Sequence, residues 1–234
     1  IMPSLVGSEM CIRDRYEEDF HKISPSGALS MLFDAIPSQL AKKASRYQVS
    51  SVLAGRQARD ILEEIAELAD SKTVLVARQA DDPNVGLSSS VDLEKFKLYM
   101  ADTGLFVTLA FKDAEFTDNI VYDKLLSDKL PANLGMLYEN AVAQEPVAHG
   151  KNLFYHTWPK ERSTRNYEID FIIPDGKKIS PIEVKSSGYK THASLDAFAG
   201  KFHSRIGRQY LIYTKDLRKD GPITCVPAYM CGLL

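Results

Sequence analysis

The sequence has no large excess of charge of either sign and no long apolar run. Its 29 Lys and Arg residues nearly balance 31 Asp and Glu residues, which gives a formal net charge of −2. The chain as a whole therefore lacks the basic character of many nucleic-acid-binding proteins. No apolar run approaches the roughly 20 residues that a membrane-spanning helix requires, so we expect no membrane partner.

The sequence also has few cysteines and lacks a common nucleotide-binding motif. The three cysteines have neither the spacing of a metal site nor that of a disulfide framework. This is typical of a reducing environment, and we predict a cytoplasmic location. The sequence also contains no G-x-x-x-x-G-K-[ST], the loop that cradles the phosphates of ATP. The chain is therefore not expected to bind ATP by that route.

Two short apolar segments joined by a turn carry the most specific chemical pattern. We predict strands at 167–173 and 179–186, joined by a Pro-Asp-Gly turn that folds the second strand back beside the first. Asp170 lies in the first strand, and Glu183 and Lys185 lie two positions apart in the second. Because side chains alternate along a strand, Glu183 and Lys185 share one face. The turn is expected to bring Asp170 close to Glu183.

This pattern predicts a cation site. Two adjacent carboxylates repel each other unless a cation lies between them. Asp170 and Glu183 are therefore candidate ligands of Mg²⁺, which binds through one or two carboxylates and retains several waters. The Lys185 ammonium could orient an attacking water or stabilise the charge of a phosphate. A surface salt bridge on an amphipathic hairpin is the alternative interpretation of the same residues.

Positive charge is concentrated around this pattern. Between residues 177 and 219, ten Lys and Arg accompany three Asp and Glu, a local charge of +7 that leaves −9 for the rest of the chain (−2 − 7). A basic surface beside a carboxylate pair suits the phosphate backbone of a nucleic acid. A solvated helix face explains the same charges equally well.

The chain divides into four segments. Residues 1–15 (IMPSLVGSEMCIRDR) have no clear periodicity and resemble a translated sequencing adapter, so we interpret them as an artefactual or disordered segment. The natural protein is then expected to begin upstream. Residues 16–105 predict three helices and a two-stranded hairpin, the order of a winged-helix domain. Residues 106–131 are predicted to be a linker with short helices, and residues 132–234 an α/β domain.

Periodicity and turn signals place the individual elements. In the first part we predict a helix from Ser26 to Ile36, a short helix from Pro37, a third helix after Gly55, and strands at 73–77 and 96–100. In the last part we predict a helix from Pro131, strands at 153–158, 167–173 and 179–186, a helix around 195–206, and strands at 209–214 and 223–226.

The third helix of the first part would be the recognition helix of a winged-helix domain. It opens with Arg56, Gln57 and Arg59, which suit phosphate contacts. It also carries five acids that phosphates would repel, Asp60, Glu63, Glu64, Glu67 and Asp70. Binding of DNA through this helix and packing against another domain are therefore both open interpretations.

The order of these pieces resembles the C-terminal part of a prokaryotic family of AAA-type ATP-binding proteins. In that family an ATPase domain is followed by a winged helix and by a nuclease-like domain of unknown function, similar to the PD-(D/E)xK restriction endonucleases. The segments that carry the resemblance are FDAIPSQL (33–40), FKLYMADTGL (96–105), GMLYENAVAQE (135–145), YEIDFII (167–173) and IEVKS (182–186).

The resemblance implies an α/β (α+β) fold, with a winged helix followed by a three-layer restriction-endonuclease-like domain. Glu139, Asp170, Glu183 and Lys185 match the acidic and basic positions of the nuclease-like motif. The implied function is Mg²⁺-dependent cleavage of nucleic acid, with DNA favoured. The alternative is a non-catalytic regulatory module that binds DNA or protein. ATP would bind only to a domain that this sequence lacks, and nothing in the sequence indicates an oligomeric state.

Overall fold

The computed structural model describes residues 3–110, 135–161 and 163–234, with side chains described from residue 11 onward. The helices are α1 (Pro3–Ile23), α2 (Ala28–Asp34), α3 (Ile36–Ala41), α4 (Leu62–Asp70), α5 (Thr103–Ala110), α6 (Gly135–Ala148) and α7 (Ala193–Phe202). The strands are β1 (Val74–Ala80), β2 (Val91–Met100), β3 (Leu153–Pro159), β4 (Asn166–Asp175), β5 (Lys178–Val184), β6 (Gln209–Tyr213), β7 (Arg218–Asp220) and β8 (Ile223–Pro227).

Helix α1 covers most of the segment for which the sequence predicted no regular structure. Its C-terminal half is anchored to the core, because the Phe20 and Phe33 ring centroids lie 5.2 Å apart and Tyr16 packs nearby. Among the described side chains of this helix, residues 11–23, only Phe20 is buried, so this stretch has no apolar stripe of helical periodicity. The structure is thus helical from Pro3, where a disordered segment was one expectation. The interpretation of residues 1–15 as artefactual stays a prediction.

The helices and the hairpin of the first part follow in the predicted order. Helix α2 ends at Asp34 and α3 begins at Ile36, close to the predicted boundary. A 3₁₀ turn at Ala58–Ile61 leads into α4, whose Ile65 and Leu68 are fully buried. These helices bury Leu29, Leu32, Phe33, Ile36 and Ile61 in one cluster with Phe96, Leu98 and Met100 of β2.

The hairpin does not stand apart from the rest of the protein. Strands β1 and β2 pair antiparallel, and β1 also pairs in parallel with β3, with Ala77 opposite Leu153. The strands of the described residues therefore form one sheet of eight, in the order β2-β1-β3-β4-β5-β6-β8-β7. This sheet continues from the segment predicted as a winged helix into the segment predicted as nuclease-like. Assignment of residues 16–105 to a winged helix stays a prediction.

The second part has the predicted order of helix, three strands, helix and strand, namely α6-β3-β4-β5-α7-β6. Alternate residues of the central strands face the two helices. Phe171, Ile182 and Ile212 pack with Val142 and Ala143 of α6 in one cluster. Ile172 and Leu211 pack with Leu195, Phe198 and Phe202 of α7 in another cluster. The sheet is therefore the middle of three layers, with an α6 face and an α7 face.

The mixed α/β (α+β) class is confirmed. The short edge strand β7 is an addition that the sequence did not predict. The linker prediction for 106–131 and the helix start at Pro131 fall largely on residues 111–134, which lie outside the described residues. Among the described helices, none combines the length and apolarity needed to cross a membrane.

Candidate functional site

An acidic cluster lies on the α6 face of the sheet. Glu139 extends from α6, and Glu168 and Asp170 extend from β4. One carboxylate oxygen of each residue lies within 4.8 Å of those of the other two. Three formal negative charges at this separation require compensation by protons or cations.

Lys97 of β2 supplies the positive charge at the centre of this cluster. Its Nζ lies 3.1 Å from Glu139 Oε1 and 2.5 Å from Glu168 Oε1. Only 6% of the Lys97 side chain is exposed, against 27% for Glu168. In the sheet, Lys97 pairs with Ala77 of the neighbouring strand β1. Lys97 therefore joins the hairpin to the acids of α6 and β4.

Two tyrosines border the cluster. The Tyr99 hydroxyl, two positions along β2 from Lys97, donates to Glu139 Oε1 at 2.5 Å. The ring of Tyr155 on β3 has its centroid 5.5 Å from Lys97 Nζ. The Tyr155 hydroxyl is buried and has no hydrogen-bond partner among the described residues. Its pKa is raised mainly by burial, while the charges of Lys97 and Glu168 act on it in opposite directions.

The electrostatics of the cluster favour an additional cation. Burial raises the pKa of Asp170 well above its usual range, and the Glu139 carboxylate adds to this rise. Burial also raises the pKa of Glu168, although the Lys97 ammonium opposes the rise. For Lys97, burial lowers the pKa, but the carboxylates outweigh it, and the pKa lies well above its usual range. The ammonium thus stays charged while the acids remain undercompensated.

Glu183 and Lys185 lie on the other face of the sheet. Lys185 Nζ is 3.1 Å from Glu183 Oε1 and also donates to the Thr191 carbonyl. Glu183 lies near His192, which directly precedes α7, and near Leu195 in the first turn of α7. Burial raises the pKa of Glu183, and Glu183 Oε2 has no hydrogen-bond partner among the described residues. The expected pairing of Asp170 with Glu183 around one cation is therefore not the arrangement found.

A β-bulge explains this difference. Phe154 pairs with Ile172, whereas His156 pairs with Ile169, so β4 has one extra residue within 169–172. Phe171 and Asp170 both point to the α6 face as a result, whereas a regular pleat would turn Asp170 to the α7 face beside Glu183. Asp170 Oδ2 instead accepts a hydrogen bond from the Val184 backbone N–H at 2.7 Å.

The residues that sequence reasoning missed are Lys97, Tyr99 and Glu168. A weak signal exists for each of them. Lys97 and Tyr99 alternate within the otherwise apolar end of β2, and Glu168 lies two positions before Asp170 on the same strand. Only the three-dimensional structure relates them, because Lys97 is 71 positions away from Glu168 in the chain.

The donor set of the cluster fits a hard divalent cation. All three candidate ligands are carboxylate oxygens, which Mg²⁺ and Ca²⁺ prefer. Oxygens bound to one such ion at about 2.0–2.6 Å lie at most ~5 Å apart, which agrees with the observed limit of 4.8 Å. Three carboxylates and one ammonium have a formal charge of −2, which a divalent ion would neutralise.

The fold and the site thus define a mixed α/β protein with an acidic cluster at the junction of its two parts. Residues 134–229 match the family model of a domain of unknown function, DUF4143. Residues 9–115 match that of a second domain of unknown function, DUF8612. No curated protein matches the chain.

Among solved structures, the chain is similar to protein VC1899 from Vibrio cholerae, with 12% sequence identity and a TM-score of 0.30. The match covers 99% of this chain and 55% of that one, so this chain spans about half of the length of that protein.

Proposed function

We propose that this chain is the C-terminal part of a cytoplasmic AAA-family ATP-binding protein, and that it cleaves nucleic acid with the help of a divalent cation. The acidic cluster is the observation that carries the proposal: three carboxylates from two elements lie within 4.8 Å of one another around a buried ammonium. The segments quoted above support the AAA-type, nuclease-like assignment. ATP would bind to a domain that this chain lacks.

The residues would act as follows. Glu139, Glu168 and Asp170 would hold the cation, with Mg²⁺ the expected ion. A divalent ion in such a site lowers the pKa of a bound water and stabilises charge on a phosphate. Glu139 is further oriented by Tyr99, and Asp170 by the Val184 N–H, so two of the ligands are held in place without the ion. Glu183 and Lys185, on the α7 face, have no assigned role at this cation.

A cleavage assay tests this proposal. Wild type would be incubated with single- and double-stranded DNA and RNA in Mg²⁺ or Mn²⁺, and compared with Asp170→Asn. We expect Asp170→Asn to lose about 10²–10³ in rate, as for removal of one charge-stabilising group. The matched control is Asp216→Asn, the same substitution at an exposed aspartate, which should cleave like wild type. Cleavage that survives Asp170→Asn would place the activity elsewhere.

A non-catalytic regulatory module is the second candidate, and one observation favours it. Lys97 already bonds two of the three acids and Tyr99 bonds one, so the cluster is partly satisfied without any ligand. In that case DNA or a protein partner would bind to another surface. Absence of metal-dependent cleavage by wild type on all four substrates, with binding of DNA retained, would support this module.

A further inference from the structure

Lys97 contacts two of the three carboxylates that would bind a cation in the acidic cluster. Its Nζ contacts one oxygen of Glu139 and one of Glu168, at 3.1 and 2.5 Å. One carboxylate oxygen of each of these glutamates and one of Asp170 lie within 4.8 Å of one another. An ion bound to all three at about 2.0–2.6 Å has to lie between them, and it would therefore contact the two glutamates that already hold the ammonium.

An ammonium and a divalent ion cannot share this position. Both would contact the carboxylates of Glu139 and Glu168, and the mutual repulsion of the two cations in a site with little exposed surface is strong. The ion could enter only if the Lys97 ammonium moved away. The four-carbon stem of the lysine side chain is flexible, so the ammonium can move without a change in the backbone of β2.

We propose that Lys97 is a tethered counter-ion, which occupies the cation position in the absence of metal and competes with a divalent cation for Glu139, Glu168 and Asp170. This inference rests on the proposed function, because it assumes that the acidic cluster binds the cation. It assigns Lys97 a regulatory role, in which the lysine sets the cation affinity of the site.

The structure offers a second position for the displaced ammonium. The Tyr155 hydroxyl is buried and has no hydrogen-bond partner among the described residues. The ring of Tyr155 lies 5.5 Å from Lys97 Nζ, and a tyrosine oxygen can accept a hydrogen bond from an ammonium. Displaced from the two glutamates, Lys97 would donate to Tyr155, which stabilises the metal-bound state.

The competing lysine and the carboxylates come from two different parts of the chain, so the competition could couple these parts. Lys97 and Tyr99 belong to the part of the chain that matches DUF8612, at residues 9–115. Glu139, Glu168 and Asp170 belong to the part that matches DUF4143, at residues 134–229. A shift of β2 relative to β4 would therefore change the cation affinity of the second part without altering any of its ligands.

The test is a calorimetric titration of the full chain with Mn²⁺. Lys97→Met removes the charge and keeps the apolar stem, so the Mn²⁺ dissociation constant should fall about tenfold or more, as expected when a competing charge is removed. Lys97→Arg keeps the charge and should not strengthen binding. Tyr155→Phe removes the second position of the ammonium and should weaken binding. Lys185→Met, the same change on the α7 face, is the control and should bind like wild type.

The outcomes separate this inference from the proposed function. If Asp170→Asn abolishes Mn²⁺ binding but Lys97→Met leaves it unchanged or weaker, the cation site stands and the counter-ion role is overturned. If wild type and Lys97→Met both fail to bind, the cation site itself is wrong. Should Lys97→Met be unfolded without metal, Mn²⁺ is expected to restore its folding. Failure to fold in saturating Mn²⁺ would also overturn the counter-ion role.

Discussion

Asn140 connects the helix of the acidic cluster to its hairpin, and its replacement offers a quantitative test of that junction. Asn140 directly follows the candidate ligand Glu139 on α6, and its side chain is fully buried. Its Oδ1 accepts from the Met100 N–H at 2.7 Å, and its Nδ2 donates to the Met100 carbonyl at 3.1 Å. Strand β2 is an edge of the sheet that the described strands form, so no described strand lies beyond it to bond these groups of Met100.

The expected cost of Asn140→Ala follows from these contacts. Loss of the bond to the Met100 carbonyl costs about 1 kcal/mol net, and the buried Met100 N–H, which is left without a partner, costs about 1–3 kcal/mol. The Met100 carbonyl keeps a bond from Gln144 Nε2 at 3.1 Å. We therefore expect a loss of about 2–4 kcal/mol in the free energy of unfolding.

Urea unfolding followed by far-UV circular dichroism measures this loss. Asn84→Ala is the control, because Asn84 is exposed in the loop before β2, and its free energy of unfolding should change by less than about 0.5 kcal/mol. Equal stabilities for Asn140→Ala and Asn84→Ala would refute the reasoning. Such a result would mean that the hydrogen bonds between α6 and β2 do not hold the two parts together.

Two further predictions concern the α7 face and its surroundings. Burial lowers the pKa of His156, with Lys201 acting in the same direction. The unfolded chain therefore binds a proton at higher pH than the folded chain, and the stability of the fold should decrease as the pH drops below about 6.5. Thermal melts from pH 8 to 5 should show this decrease, and His156→Phe should reduce it. A Cβ added at Gly207 would lie 2.5 Å from Asp175 Oδ2, so Gly207→Ala should destabilise the fold by about 1–3 kcal/mol. Gly200 lies within α7, and an added Cβ there would meet no heavy atom within 4 Å, so Gly200→Ala should stabilise the fold by about 0.5–1 kcal/mol. A change of the same sign in the free energy of unfolding for both glycine variants would contradict this account.

The regular elements were predictable because each has a local signal. Strands β3 to β6 and helix α7 follow from the apolar periodicity and the turn residues around Gly176. Helix α1 was missed because, among its described side chains at residues 11–23, only Phe20 is buried. The short strand β7 was missed because Arg218 and Lys219 lie at an exposed edge, where no apolar pattern is needed.

The candidate site was only partly predictable. Glu139, which only the resemblance implied, and Asp170, which the strand pattern also singled out, lie near each other on one face. The prediction that Glu183 lies beside Asp170 assumed a regular pleat, but the bulge in β4 turns Asp170 to the α6 face, away from Glu183. A bulge changes hydrogen-bond register without requiring a distinctive residue type, so alternation alone could not reveal it. The contribution of Lys97 depends on contact between distant segments, and a lone lysine in an apolar strand does not specify its partner.

The most direct test of the central claim is a crystal structure of the chain grown or soaked with Mn²⁺, with an anomalous difference map recorded at the manganese absorption edge. The account predicts one strong peak between the carboxylates of Glu139, Glu168 and Asp170, with Lys97 Nζ turned away from the two glutamates. A peak beside Glu183 and Lys185 on the α7 face, or no peak at saturating Mn²⁺, would contradict it.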